Sequence, residues 1–218
     1  MKSERCFMKL NELLKFDCFV FDGDGTLFDS NTVKFINIHK AVEVVTGDSK
    51  KAQEFAERFI RESGVPREEK IFASFEADLG SAILEKYNNL NLTSIEGVKL
   101  IPGAYDILNL LFNAGKKIIL CSAGDEIEVL RILKKYQMEN IFAAKLMGAQ
   151  KTKEKLASVI GHQKSIYFGD ALKDFLLAQE LSIPFVYVNG YTLKAMDFFE
   201  PGKSPSNTIK DYFEIERD

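Results

Sequence analysis

The stretch "FVFDGDGTLFDS", residues 19 to 30, sets two aspartates, Asp22 and Asp24, directly after an apolar run and flanks the second with glycines. The run itself, "CFVF" (18–21), does not alternate polar with apolar residues. That is the pattern of a strand buried on both faces. Two carboxylates aimed at one point after such a strand make either an ordinary polar turn or a pair with a joint task, such as holding a metal. The ends of the other strands decide between them.

Working outward, three further apolar runs have the same character: "KIILC" (117–121), "SIYF" (165–168) and "PFVYV" (184–188). Amphipathic segments follow or separate them. "YDILNLLFNAG" (105–115) carries Ile107, Leu108, Leu111 and Phe112 on one face and closes on Gly115. "DEIEVLRILKKY" (125–136) opens with acidic residues, where a helix dipole favours them, and "LKDFLLAQELS" (172–182) follows the third run. Strand–helix alternation predicts parallel strands joined by right-handed crossovers. The expected class is therefore α/β, a Rossmann-like parallel sheet with helices on both faces. "NIFAAKLMG" (140–148) is a weaker candidate for a further strand, and the tail from residue 200 reads as loop followed by a short docking helix.

Almost a hundred residues separate the first two runs, far more than one crossover needs. Residues 31–97 read as helical, broken at Gly47, Gly64 and Pro66. They are expected to form an inserted all-helical cap domain, with hinges near 30 and 98–103, on a core domain made of 1–30 and 98–218.

Composition narrows the function. Hydrophobic residues are 46%, charged residues 28% and the formal net charge is −3, so nothing marks a nucleic-acid binder. Cys6, Cys18 and Cys121 are an odd set without regular spacing, which suggests reduced thiols in a cytoplasmic protein. The charged segment "MKSERCFMKLNELLKFD" does not read as a secretory signal, and no window reaches the roughly 20 apolar residues of a membrane helix. The expected partners are a small molecule and, at most, further copies of the chain in a small homo-oligomer, with no membrane.

In an open parallel sheet, ligands bind at the carboxyl ends of the strands. After the first run come Asp22, Gly23, Asp24, Gly25 and Thr26; after the second, Ser122, Ala123 and Gly124; after the third, Gly169, Asp170 and then Asp174. Carboxylates gathered on one edge repel one another unless a cation joins them. Oxygen donors with neither His39 nor His162 nearby in sequence suit a hard ion such as Mg²⁺. Backbone amides around Gly23 and after Ser122 form a candidate anion cradle, and "GAQKTKEKLASVI" supplies a lysine. Ion, lysine, hydroxyl and amides together suit a phosphoryl group.

This order of motifs resembles the haloacid dehalogenase-like hydrolase superfamily over residues 17 to about 190, and the helical insertion resembles that family's first type of cap. The resemblance implies a Mg²⁺-dependent phosphatase acting on a small-molecule phosphate ester, a sugar phosphate among the options. It implies Asp22 as the nucleophile that becomes an aspartyl phosphate, and Asp24 as general acid and then base. Ser122, with Ala123 and Gly23, would hold the phosphoryl oxygens. Asp170 and Asp174, with Asp22 and the main-chain carbonyl of Asp24, would serve the metal. Of two lysines, Lys153, with Leu156 three residues on, fits the family spacing better than Lys151. "SGVPREEKIF" (63–72) resembles the cap segment of the β-phosphoglucomutase-like branch, which makes Arg67 a candidate for the distal end of the substrate. That branch has a histidine where this chain has Lys34, a departure that favours hydrolysis over a phosphosugar mutase. A non-catalytic binding module is the remaining alternative, although every chemical position is filled.

Overall fold

A computed structural model of the chain describes residues 8–62, 65–193, 205 and 207–217. Cys6, the Gly64 break and most of the expected loop at 200–206 lie outside the described residues. After a short helix α1 (Leu10–Leu13), the first run forms β1 (Cys18–Phe21), buried along its whole length. Four more runs give β4 (Lys117–Ser122), β5 (Ala144–Met147), β6 (Ser165–Gly169) and β7 (Phe185–Val188). With β8 (Asn207–Ile209) they form one parallel sheet in the order β5-β4-β1-β6-β7-β8. The Rossmann-like α/β architecture expected from the alternation is the one found.

The lack of polar alternation has a direct cause, because both faces of the sheet are covered. Phe19, Phe21, Ile118, Leu120, Ile166 and Phe168 face one apolar cluster, while Cys18, Val20, Ile119, Cys121 and Tyr167 face another. The first cluster includes Ile107, Leu108 and Leu111 of α6 (Ala104–Asn113) and Val129, Ile132 and Leu133 of α7 (Glu126–Lys135). The second includes Leu156 and Ile160 of α8 (Lys153–Ile160) and Phe175 and Ala178 of α9 (Leu172–Glu180).

Between β1 and α6 lie α2 (Asn31–Thr46), α3 (Ser49–Arg61), α4 (Arg67–Phe72) and α5 (Ala77–Ser94). They share their own cluster, which includes Ile38, Phe55, Phe59, Phe75 and Tyr87. Phe55 and Phe75 pack edge to face with centroids 4.8 Å apart, and Phe59 and Tyr87 do so at 5.4 Å. The two chain crossings into these helices pair with each other. β2 (Phe28–Asp29) and β3 (Lys99–Leu100) form an antiparallel ribbon, and the Ile101 amide donates to the Leu27 carbonyl at 2.9 Å. The expected hinge regions, near 30 and 98–103, thus adjoin one two-stranded ribbon.

The tail differs from its expectation. Ahead of its short closing helix, "NTI" adds β8 to the sheet edge, because its β-branched residues can pair with β7 along Val186–Val188. A single 3₁₀ turn, Tyr212–Glu214, then drops Tyr212 into the core. The ring lies 6.2 Å from Phe21 and 6.1 Å from Phe168, and its hydroxyl donates to the Thr26 carbonyl at 3.0 Å. The end of the chain therefore braces the loop that follows β1. No helix among the described residues is long and apolar enough to cross a membrane.

Replacing Tyr212 with Phe removes a buried donor from the Thr26 carbonyl and should cost about 1–2 kcal/mol. In a chain of this size that is a fall in Tm of roughly 3–6 °C. Calorimetry showing an unchanged Tm would mean the tail does not brace the loop.

Candidate active site

β1 is paired in register with both neighbours, Phe21 opposite Leu120 on one side and Phe168 on the other. The three strands therefore end together, and the loops after them open on one edge. The Asp22 amide still donates to the Phe168 carbonyl at 2.9 Å, which ties its backbone to the sheet. The chain then turns sharply. Gly25 has φ +74°, and a Cβ there would collide with the Asp170 carboxylate and the Asn31 amide. Only glycine allows both the left-handed turn and that approach.

Asp22, Asp170 and Asp174 are buried and each offers a carboxylate oxygen within 4.8 Å of the others. Lys151 Nζ donates to Asp22 Oδ1 at 3.0 Å and to Asp174 Oδ1 at 2.6 Å. Asp174 also accepts from the Tyr167 hydroxyl at 3.0 Å and the Ala171 amide at 3.2 Å. Asp170 accepts from the Asn31 amide at 3.0 Å, and that amide also donates to the Tyr191 carbonyl at 3.0 Å. No cation pairs with Asp170 among the described residues. Three carboxylates thus have one lysine among them, bonded to Asp22 and Asp174 but not to Asp170.

Their titration reflects this. Burial first, and then the charge of Asp174, push Asp22 up to about 7 against the pull of Lys151. Burial, Asp22 and Asp174 drive Asp170 well above the usual carboxylate range. Burial works against the charge on Lys151, but Asp174 and Asp22 override it and raise its pKa. An all-oxygen donor set with surplus negative charge suits a hard divalent cation that keeps some waters. The residues fit Mg²⁺ on those grounds.

Asp24 lies apart from this group. Its carboxylate accepts from Lys34 Nζ and from the Ser30 hydroxyl, both at 2.5 Å. Burial pushes its pKa up, but Lys34 and Ser30 outweigh burial and hold it below its ordinary value. Lys34 also sits 3.7 Å from Glu128 of α7. Glu128 in turn receives Arg67 of α4 through two bonds, at 2.7 and 2.8 Å, and Arg67 donates to Asn88 at 2.6 Å. Asp24, Lys34, Arg67, Lys70, Ser122, Ala123 and Gly124 all line the cleft that opens on Asp22.

The lysine assignment changes. Lys153, favoured by spacing, is half-exposed and sits 3.8 Å from Glu180 on the flank of the molecule. Thr152 caps α8, its hydroxyl accepting from the Lys155 amide, so Lys153 is already the first helical residue and points away from the sheet edge. Lys151 precedes the cap and reaches the carboxylates. The cap residue in "QKTKEK" was the signal that separates the two. Ser122 does not cap α7 either. Asp125 does, accepting from the Ile127 and Glu128 amides, while Ser122 Oγ accepts from the Gly124 amide at 3.1 Å. Arg67 lines the cleft but is committed to Glu128. Nothing in the local sequence marks Asn31, Tyr167, Lys70 or Glu128 as site residues.

Residues 19–188 match the family model described as haloacid dehalogenase-like hydrolase. No protein of curated function matches the chain. Among solved structures, a hydrolase from Pseudomonas syringae superposes with a TM-score of 0.75 at 16% identity, covering 90% of this chain and 94% of that one. A "predicted phosphoglycolate phosphatase" from Haemophilus somnus gives 0.73 at 14%, covering 90% and 95%. CbbY from Rhodobacter sphaeroides, in complex with xylulose-1,5-bisphosphate, gives 0.69 at 14%, covering 93% and 97%. At these identities the likeness is one of fold.

Raised carboxyl pKa values in the folded state mean that Asp22 and Asp170 favour folding when protonated. That contribution is full below the ordinary carboxylate range, and the Asp22 part of it is lost as pH climbs through about 7. The EDTA-treated protein should therefore lose Tm between about pH 5 and pH 8, and millimolar Mg²⁺ should raise Tm more at the upper pH than at the lower. Asp170→Asn should lower the increment. An equal Mg²⁺ increment at both pH values would contradict the carboxylate cluster as its source.

Proposed function

We propose, from the premise that the chain belongs to the haloacid dehalogenase-like hydrolase family, that it is a Mg²⁺-dependent phosphatase for a small phosphate ester. One observation carries this reading: Asp22, Asp170, Asp174 and Lys151 meet at the carboxyl edge of the central strands. Phosphoryl transfer demands in-line placement and neutralisation of charge on the equatorial oxygens, and this cluster is suited to both. Mg²⁺ held by Asp22, Asp170 and Asp174 would withdraw charge from the phosphoryl oxygens.

The chain's own residues then divide the work. An Asp22 oxygen forms a bond to phosphorus as the bond to the ester oxygen breaks, leaving an aspartyl phosphate. Lys151, the Ser122 hydroxyl and the amides at Gly23 and Ala123 bind the phosphoryl oxygens. Asp24, carrying a proton taken up from solvent, gives it to the leaving oxygen and is left ionised. In the second half, Asp24 removes a proton from water as that water attacks phosphorus, and the bond to Asp22 breaks. Lys34 keeps Asp24 ionised, which is the form the water-activating step requires. Helices α2 to α5 serve as a cap that limits water and selects the leaving group.

A phosphosugar mutase finds less support. That reading leaned on Arg67 as the anchor for a distal phosphate, and Arg67 is already neutralised by Glu128.

The purified protein should release phosphate from an aryl phosphate with Mg²⁺ and stop with EDTA. Asp22→Asn should lower kcat on the order of a thousandfold or more, and Lys151→Met on the order of a hundredfold. Lys153→Met should stay within about threefold of the parent, since that side chain is at the surface. Turnover that survives Asp22→Asn removes the assigned nucleophile.

A further inference from the structure

Three cations line the cleft: Lys34, Arg67 and Lys70. Two of them already have carboxylates. Lys34 pairs with Asp24 and Arg67 with Glu128. Lys70 is as buried as Arg67, each 7% exposed, yet no carboxylate pairs with it among the described residues. Its Nζ donates to the Phe59 carbonyl at 3.1 Å and lies 3.6 Å from the centroid of the Phe59 ring. A carbonyl and a π face solvate an ammonium group without neutralising it.

We propose that Lys70 is the specificity-determining residue of the cleft and binds a second anionic group of the substrate, a carboxylate or phosphate on a short tail beyond the ester. This rests on the phosphatase reading above. Placement supports it. Lys70 stands one helical turn after Arg67 on the same face of α4, and Glu128 has taken Arg67 out of use. On this proposal the anion anchor of the cleft is Lys70 and not Arg67.

The surroundings leave the ammonium short of negative charge. Facing it are Lys34 of α2, Glu62 just past α3, Asp24 after β1 and Arg67 of its own helix. Burial, first of all, brings its pKa down to about 7, with the cations adding to that and Glu62 and Asp24 opposing it. A bound anion would restore the charge. The cleft volume is about 80 Å³. At ~10–15 Å³ for each water-sized centre, that is room for a phosphoryl group and a tail of a few atoms.

A purely structural role makes a different forecast. The Phe59 carbonyl belongs to the last turn of α3, so Lys70 could act only as a C-terminal cap for that helix. Non-hydrolysable phosphonates separate the two. With Mg²⁺ present, calorimetry should show 3-phosphonopropanoate or propane-1,3-diphosphonate binding the wild-type protein at least about tenfold more tightly than neutral-tailed propylphosphonate. The tighter of the two charged probes identifies the second group. In Lys70→Met that preference should fall to about twofold or less, and kcat/KM for esters with charged tails should fall further than for neutral ones. Equal affinity of the wild-type protein for charged and neutral tails overturns the proposal and leaves the phosphatase reading standing. So does a Lys70→Met protein that loses Tm but keeps its selectivity. Failure to bind any phosphonate or turn over any ester would sink both.

Discussion

Three carboxylates confined with a single lysine at the end of β1 are the constraint from which the rest of the site follows. Without compensation the arrangement would be expensive, since burial alone disfavours each charge. The fold answers with specific donors. Tyr167 and the Ala171 amide complete the shell of Asp174, Asn31 serves Asp170, and Lys151 spans Asp22 and Asp174. The remaining imbalance is negative, and a hard cation with a phosphate ester is the chemistry that suits it. The parallel in-register pairing of β4, β1 and β6 explains the convergence, because the residues that follow these strands emerge on one edge.

A second charge cluster tunes how the helices sit over that edge. Glu128 belongs to a helix of the sheet layer, whereas Arg67 and Lys34 belong to the inserted helices. Their contacts, with those of Asn31 to Asp170 and the Tyr191 carbonyl, link the inserted helices to the sheet layer. A buried pair of this kind adds little net stability compared with apolar packing, but it penalises arrangements in which one partner is left alone. The Arg67–Glu128 fork therefore selects a docking geometry rather than simply holding it. The β2–β3 ribbon works with it, since it ties the two chain crossings to each other.

Most of the architecture was legible because it depends on local pattern. Continuous apolar runs gave the buried strands, helical periodicity gave α6, α7 and α9, and the length between the first two runs gave the helical insertion. Residues attached to strand ends were legible for the same reason, as with Asp22, Ser122 and Asp170. What failed to show was whatever depends on distant partners or on one residue of helix phase. Lys151 and Lys153 differ only in which side of the Thr152 cap they occupy. Lys34 and Glu128 are 94 residues apart in the numbering and meet only where their side chains approach in the folded chain. β8 is three residues long and acquires its identity from β7, so no periodicity announces it.

The pairing of Asp24 with Lys34 bears on the order of events in the proposed chemistry. An aspartate that must first supply a proton and later accept one needs its pKa to change between the two steps. In this structure Lys34 and Ser30 hold it ionised. Lys34 is also close to Glu128, which provides an alternative carboxylate a short movement away. In the proposed chemistry the acid step would require that contact loosened so that Asp24 takes up a proton from solvent, and the base step would require it restored, so the two carboxylates flanking Lys34 bear on both.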